Sequence, residues 1–180
     1  MSWLADYRKD VARYTGHGER SGAQQMLVQQ ALWALLQYRL AAAVHRSSLS
    51  PVVRAPLLTL LYAWRKAIEM STGICLPHAA TIGPGLHIPH FGPVILNKGA
   101  VIGSGCDIHQ GVTIGFSDRA GRSGVPVIGD RVWIGPNAVV AGPLTVGDHA
   151  MIAANSLVTR DVPSEAVVRG VPAEIVGTRG

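Results

Sequence analysis

The chain's 180 residues allow one domain, or one domain with an appendage; 48% hydrophobic against 15% charged content implies an exterior partly covered by further subunits. A net charge of +5 would attract an anionic partner, but the basic residues form no run and only 6% of residues are aromatic, which argues against nucleic acid. Residues 1–20 are polar, without the apolar centre of a secretion signal. Two cysteines, Cys75 and Cys106, make no disulfide framework, so a cytoplasmic protein is expected.

Taken in order, residues 1–22 read as a loosely packed arm. Residues 24–44 read as a helix, with Leu27, Ala31, Leu32, Leu35, Tyr38 and Ala42 near a 3–4 spacing. Gln29, Gln30, Gln37 and Arg39 interrupt its apolar character. The arginine alone would cost ~2.5–3.5 kcal/mol at the centre of a bilayer, so a span is not expected and only peripheral membrane contact stays open. A turn over 45–55 leads to a second helix, from Pro56 to about residue 70, with an apolar stripe of Leu57, Leu60, Leu61, Trp64 and Ile68. Residues 1–73 thus form an N-terminal arm and helical segment, the two helices capping whatever follows.

From residue 74 the period changes to six. Aliphatic residues head successive blocks at Leu76, Ile82, Ile88, Leu96, Ile102, Ile108, Ile114, Ile128, Ile134, Val140, Val146, Ile152 and Val158. Glycine often follows the head. The fifth place is small or aliphatic, as at Ala80, Leu86, Ala100, Cys106, Val112, Val132, Ala138, Leu144, Ala150 and Ser156. This period matches neither the 3.6 of a helix nor the 2 of an ordinary strand, and evenly spaced turns of a β-sandwich would not repeat so faithfully. It predicts a mainly β domain over 74–180: a parallel β-helix in which three blocks make a coil of about 18 residues and stacked coils share one core.

The register breaks twice. Eight residues, not six, separate Ile88 from Leu96, so two extra residues bulge out and carry His90 with them. Fourteen separate Ile114 from Ile128, which predicts an extruded loop within 117–125. Loops displayed on a rigid scaffold are where chemistry tends to reside. After Val158 the repeat decays, and the chain closes on Arg169-Gly170-Val171-Pro172-Ala173-Glu174-Ile175-Val176-Gly177.

The hexapeptide array, the bulged Gly85-Leu86-His87-Ile88-Pro89-His90, the stretch Asp107-Ile108-His109-Gln110-Gly111-Val112-Thr113-Ile114-Gly115 and the closing motif resemble the serine acetyltransferase-like branch of the hexapeptide acyltransferases. That resemblance implies a left-handed β-helix, a homotrimer, and acetyl-CoA lying in the groove between neighbouring β-helices, a polyanion that also suits the net charge. It places His90 at the catalytic histidine. Transfer of acetyl from a thioester to an alcohol needs a base of pKa about 6.5–7 within hydrogen-bond reach of the hydroxyl. For acetyl-CoA the resemblance carries to Gly115, Phe116, Gly135, Pro136, Ala153 and Ala154; Arg160 or Arg169 reads equally as a partner for the CoA phosphates and as solvated surface. Phe116 replaces a usual glycine and Pro136 lacks a backbone donor. His109 is a candidate for acceptor contact, whereas His78, His87 and His149 read as solvated block corners.

Some family positions differ. Pro89 stands where the family has an acid before the histidine, Cys75 where it has the acid that orients the imidazole, and Gly124-Val125 where it has an Arg-His pair. The charges that would meet both ends of an amino acid are largely missing, so a sugar, glycan or other small alcohol is expected as acceptor, with serine the alternative. Two other classes compete: a zinc-dependent hydratase, for which His90 and His109 would need a third imidazole, and a non-catalytic trimeric scaffold. No metal is expected.

Overall fold

The computed structural model describes residues 2–15, 22–119 and 121–179. Among the described residues four helices precede the solenoid: α1 (Trp3–Thr15), α2 (Gly22–Val28), α3 (Gln30–His45) and α4 (Pro51–Thr72). The sequence expectation of a loose arm is overturned over 3–15, which is α1; residues 16–21 lie outside the described residues. Tyr7, Asp10 and Tyr14 fall on one face of α1 and are buried. The helix expected over 24–44 is broken at Gln29, whose extended backbone (φ −90°, ψ 102°) separates α2 from α3.

The second predicted helix starts five residues early. Pro51 takes the first-turn position, Pro56 lies inside the helix, and Gly73 caps the end in the left-handed region at φ 75°. Its apolar stripe is mostly not buried. Ile68 is covered, but Leu57, Leu60 and Trp64 are 38%, 69% and 38% exposed. It is α3, buried on almost every side, that closes the first coil. The Tyr38 hydroxyl donates to Ala80 O (2.9 Å) and accepts from Ile82 N (3.0 Å). The Arg39 guanidinium donates to Ile82 O and Gly83 O, both at 2.7 Å. These contacts satisfy backbone groups that an open coil end would leave unpaired. Among the described residues no helix is long and apolar enough to cross a membrane.

The solenoid is a left-handed parallel β-helix with three sheet faces. One face stacks strands Ile74–Cys75, Val94–Leu96, Thr113–Gly115, Val139–Ala141 and Leu157–Val158; a second stacks Thr81–Ile82, Val101–Ile102, Val127–Ile128 and Thr145–Val146. The third stacks Asp107–Ile108, Trp133–Ile134, Met151–Ile152 and Ala166–Gly170, to which Ala173–Thr178 adds an antiparallel closing strand. Ile82, Ile102, Ile128 and Val146 sit in register at separations of 20, 26 and 18 residues, an 18-residue coil lengthened first by the bulge and then by the loop.

Every block head and every fifth place named above is 5% exposed or less, so the period of six is the period of the core. Glycine after the head reflects the closeness of the next coil. A Cβ on Gly103 would lie 2.5 Å from the backbone carbon of Gly129. Corners need the left-handed backbone, met at one of them by Gly111 (φ 80°), Asn137 (57°) and Asn155 (57°) on successive coils.

Candidate active site

The bulge is held at both shoulders. The Tyr14 hydroxyl donates to Ile88 O (3.2 Å) and accepts from Ile88 N (2.8 Å), while Gly111 N donates to Pro93 O (2.6 Å). Gly92 closes the turn at φ 135° and packs on Gln110, whose Cβ would be 2.9 Å from any Cβ added there. Between these anchors the two extra residues leave His90 and Phe91 exposed. They border a cavity of about 220 Å³ whose other walls include Gln29, Gln30, Ala31, Ile74 and Ile88. The kink between α2 and α3 therefore faces the candidate base.

His109 lies beside it, the two ring centroids 5.9 Å apart, and Trp133 flanks His109 on the next coil at 4.7 Å. Burial, and then the positive charge that His90 can carry, hold the His109 pKa below the ordinary histidine value.

His87 is not the solvated corner expected. Its Nδ1 lies 2.8 Å from Asp107 Oδ1 and its ring meets Tyr14 edge-on at 4.7 Å. Arg13 grips the same carboxylate with Nη2 at 2.7 and 2.8 Å. Burial works against ionising Asp107, but His87 and Arg13 outweigh it and set its pKa below the usual carboxylate range. With a folded pKa below the unfolded value of about 3.9, the stabilisation is complete above that range and is lost as pH falls through the lowered value. Wild-type protein is therefore expected to melt above an Asp107→Asn variant at pH 7, with the difference closing below about pH 4. A gap that did not change with pH would contradict this assignment. The cluster was not visible in the sequence because it needs α1 against the solenoid and two coils in register.

The other named histidines lie apart from the bulge: His78 stacks near His45, centroids 4.9 Å apart, and His149 occupies a left-handed corner at φ 60°. Cys106 is buried in the core. Cys75 is half-buried; burial and the Glu69 carboxylate that receives its S–H push its pKa up to about 11, so it stays a thiol. Gly124 ends the hairpin of Ser117–Arg119 and Arg122–Gly124 that forms the extruded loop. A Cβ on Gly124 would run into Pro143, and Val125 packs against Gly99, so neither offers a charge to a ligand. Among the described residues no three His, Cys, Asp or Glu side chains group as a metal site.

The residues assigned to acetyl-CoA fall into two sets. Strand pairing places Gly135 beside His109, Ala153 beside Gly135 and Arg169 beside Ala153, one corner repeated on successive coils. A Cβ on Gly135 would sit 2.7 Å from Ala154 N and 2.8 Å from the Trp133 ring, which explains the glycine. Ala153, Ala154 and Arg169 line one broad cleft of about 620 Å³ with the chain's closing segment. Gly115 and Phe116 stand instead at the end of a strand on a different sheet face.

Comparison with known proteins agrees with this architecture. The bacterial transferase hexapeptide family (six repeats) matches residues 126–160. The serine acetyltransferase of Mycobacterium tuberculosis is 40% identical over 106 residues, 59% of this chain. The chain spans 46% of that relative's length, and 63% of the length of the serine acetyltransferase of Synechococcus elongatus. That of Helicobacter pylori J99 is 34% identical over 151 residues, 84% of each chain. The crystal structure of Neisseria gonorrhoeae serine acetyltransferase superposes at a TM-score of 0.83 with 27% identity, covering 99% of this chain and 66% of that one. A serine acetyltransferase in complex with CoA superposes at 0.79 with 26% identity over 97% of this chain and 70% of that one. From its repeats, its bulge and these likenesses, the chain belongs to the serine acetyltransferase family of hexapeptide-repeat proteins.

Proposed function

We propose that the protein transfers an acetyl group from acetyl-CoA to the hydroxyl of a small acceptor, with His90 as general base. The observation that carries this is the exposed imidazole on the bulge, beside a cavity and at one end of the corner formed by His109, Gly135, Ala153 and Arg169. At about 4.8 Å per rung, the small residues give a pantetheine arm a path along the coil from a thioester near His90 to phosphates near Arg169. The complex of a relative with CoA supports the donor. In the reaction the acceptor oxygen attacks the thioester carbonyl carbon while His90 takes the hydroxyl proton. The carbon–sulfur bond then breaks and the imidazolium returns that proton to the departing thiolate, leaving an acetyl ester and free CoA. Gly115 and Phe116, on another face, would meet the same donor only across a boundary between chains, which favours a homotrimer.

The relatives are named for serine, and this favours L-serine as acceptor over the saccharide expected from the sequence. The uncharged Pro89, Gly124 and Val125, and a Cys75 turned to Glu69, are what supports a neutral alcohol instead. CoA release measured with L-serine and with a saccharide panel tests both levels. Turnover of L-serine to its O-acetyl ester is expected. Saccharides turned over with serine inert would overturn the acceptor, and no release with any hydroxyl compound would overturn the activity.

A further inference from the structure

We infer that His109 and Trp133 are the acceptor-positioning residues of this site, His109 binding the acceptor hydroxyl and Trp133 holding its ring in place. This rests on the reading of His90 as the base. The first observation is the row itself: His90, His109 and Trp133 form a continuous line of rings with centroid steps of 5.9 and 4.7 Å, starting at the base. None of the three is buried. The second is how the row is built. His109 pairs in register next to Gly135, and the Trp133 ring lies over that glycine, where a Cβ would be 2.8 Å from it. The absence of a side chain at Gly135 is what lets the indole fold against His109 rather than stand off the coil. The third is chemical. Burial and the neighbouring His90 disfavour the charged form of His109. One imidazole of the pair can take the acceptor's proton while the other stays neutral. A neutral imidazole has one N–H donor and one bare nitrogen, the two faces needed to hold a hydroxyl without stripping it.

The donor has its own track. His109 stands at the His90 end of the corner, with Gly135, Ala153 and Arg169 beyond it. Its hydrogen-bonding atoms are therefore available at the place where thioester and hydroxyl must meet. Trp133 adds an aromatic wall against which carbon-bound hydrogens of an acceptor can pack. Recognition by these two residues reads a hydroxyl and its carbon skeleton, features that L-serine and a neutral alcohol share.

The test is steady-state kinetics of His109→Ala, His109→Gln and Trp133→Ala, using the acceptor that the wild-type protein turns over among L-serine and the saccharide panel. Loss of one hydrogen bond predicts a rise of about 3- to 10-fold in the acceptor's KM for His109→Ala. The KM for acetyl-CoA should stay within about twofold, so that the change falls on the acceptor alone. His109→Gln, whose amide keeps a donor and an acceptor, should recover part of the loss, and Trp133→Ala should show a smaller rise with the same pattern. Melting curves of each variant separate these effects from unfolding. An unchanged acceptor KM in His109→Ala, or an equal rise for acetyl-CoA, would overturn the inference. If His90→Ala kept full activity while His109→Ala still raised the acceptor KM, the base assignment would fail and the acceptor subsite would stand. Wild-type protein inert toward every hydroxyl acceptor would overturn both.

Discussion

Replacing His90 by alanine is expected to lower kcat for acetyl transfer by about 10²- to 10⁴-fold, the range a positioned general base contributes. CoA affinity and melting temperature should hardly change. His90 is exposed, its ring contact among the described residues is with His109, and the bulge that carries it is fixed by Tyr14 and by the Pro93–Gly111 hydrogen bond instead. Surface substitutions of that kind usually alter stability by less than about 0.5 kcal/mol, so lost activity can be ascribed to the missing imidazole. The check is kcat with saturating acetyl-CoA, alongside CoA binding by calorimetry. Retained turnover would mean that another group takes the proton; a matching loss of CoA affinity would mean that His90 binds the donor.

The largest expected effect on stability comes from Asp10→Ala. The Asp10 carboxylate is fully buried and receives four hydrogen bonds: Arg39 Nε (2.8 Å), Arg39 Nη2 (3.0 Å), Gly85 N (2.7 Å) and Leu86 N (3.1 Å). Burial pushes its pKa up, against the downward pull of Arg39 and the two amides. Removing one partner of a buried ion pair strands the other, at a cost of about 3–5 kcal/mol. For a chain of this size that is a fall in melting temperature of roughly 6–20 °C. Arg39 would keep its bonds to Ile82 O and Gly83 O but lose its counter-charge. A double variant, Asp10→Leu with Arg39→Met, should recover little of the loss: it leaves no buried charge, but it strips Ile82 O, Gly83 O, Gly85 N and Leu86 N of their side-chain partners. A drop below about 1 kcal/mol in the single variant would show that the pair does not clamp α1 to the solenoid.

Asp10 also marks where sequence reading stopped. Across 76–158 each residue's environment repeats every six positions, and one physical rule, inward head and small fifth place, settles burial for heads and fifth places alike. The two interruptions are equally legible, because a fixed coil length leaves surplus residues nowhere to go but outward. In α1 the buried face is Tyr7, Asp10 and Tyr14, which carries no aliphatic stripe, so its pattern resembled a solvated arm. The same blindness hid Arg39. It counted against a membrane span on its own, whereas its partner lies 29 residues earlier and its function is to close a coil. In α4 the stripe was real but its burial was not, since packing on α3 engages a narrower face than the apolar one. His90 could be found from local spacing. The His109–Trp133 contact and the His87–Asp107–Arg13 cluster join residues from neighbouring coils or from α1, and only the fold brings them together.

A crystal structure of the protein soaked with CoA bears most directly on the whole account. The thiol should end within hydrogen-bond reach of His90 and near His109, the pantetheine should follow Gly135 and Ala153, and the phosphates should lie toward Arg169. A thiol resting far from the bulge, or CoA bound on a face that does not include this corner, would contradict it.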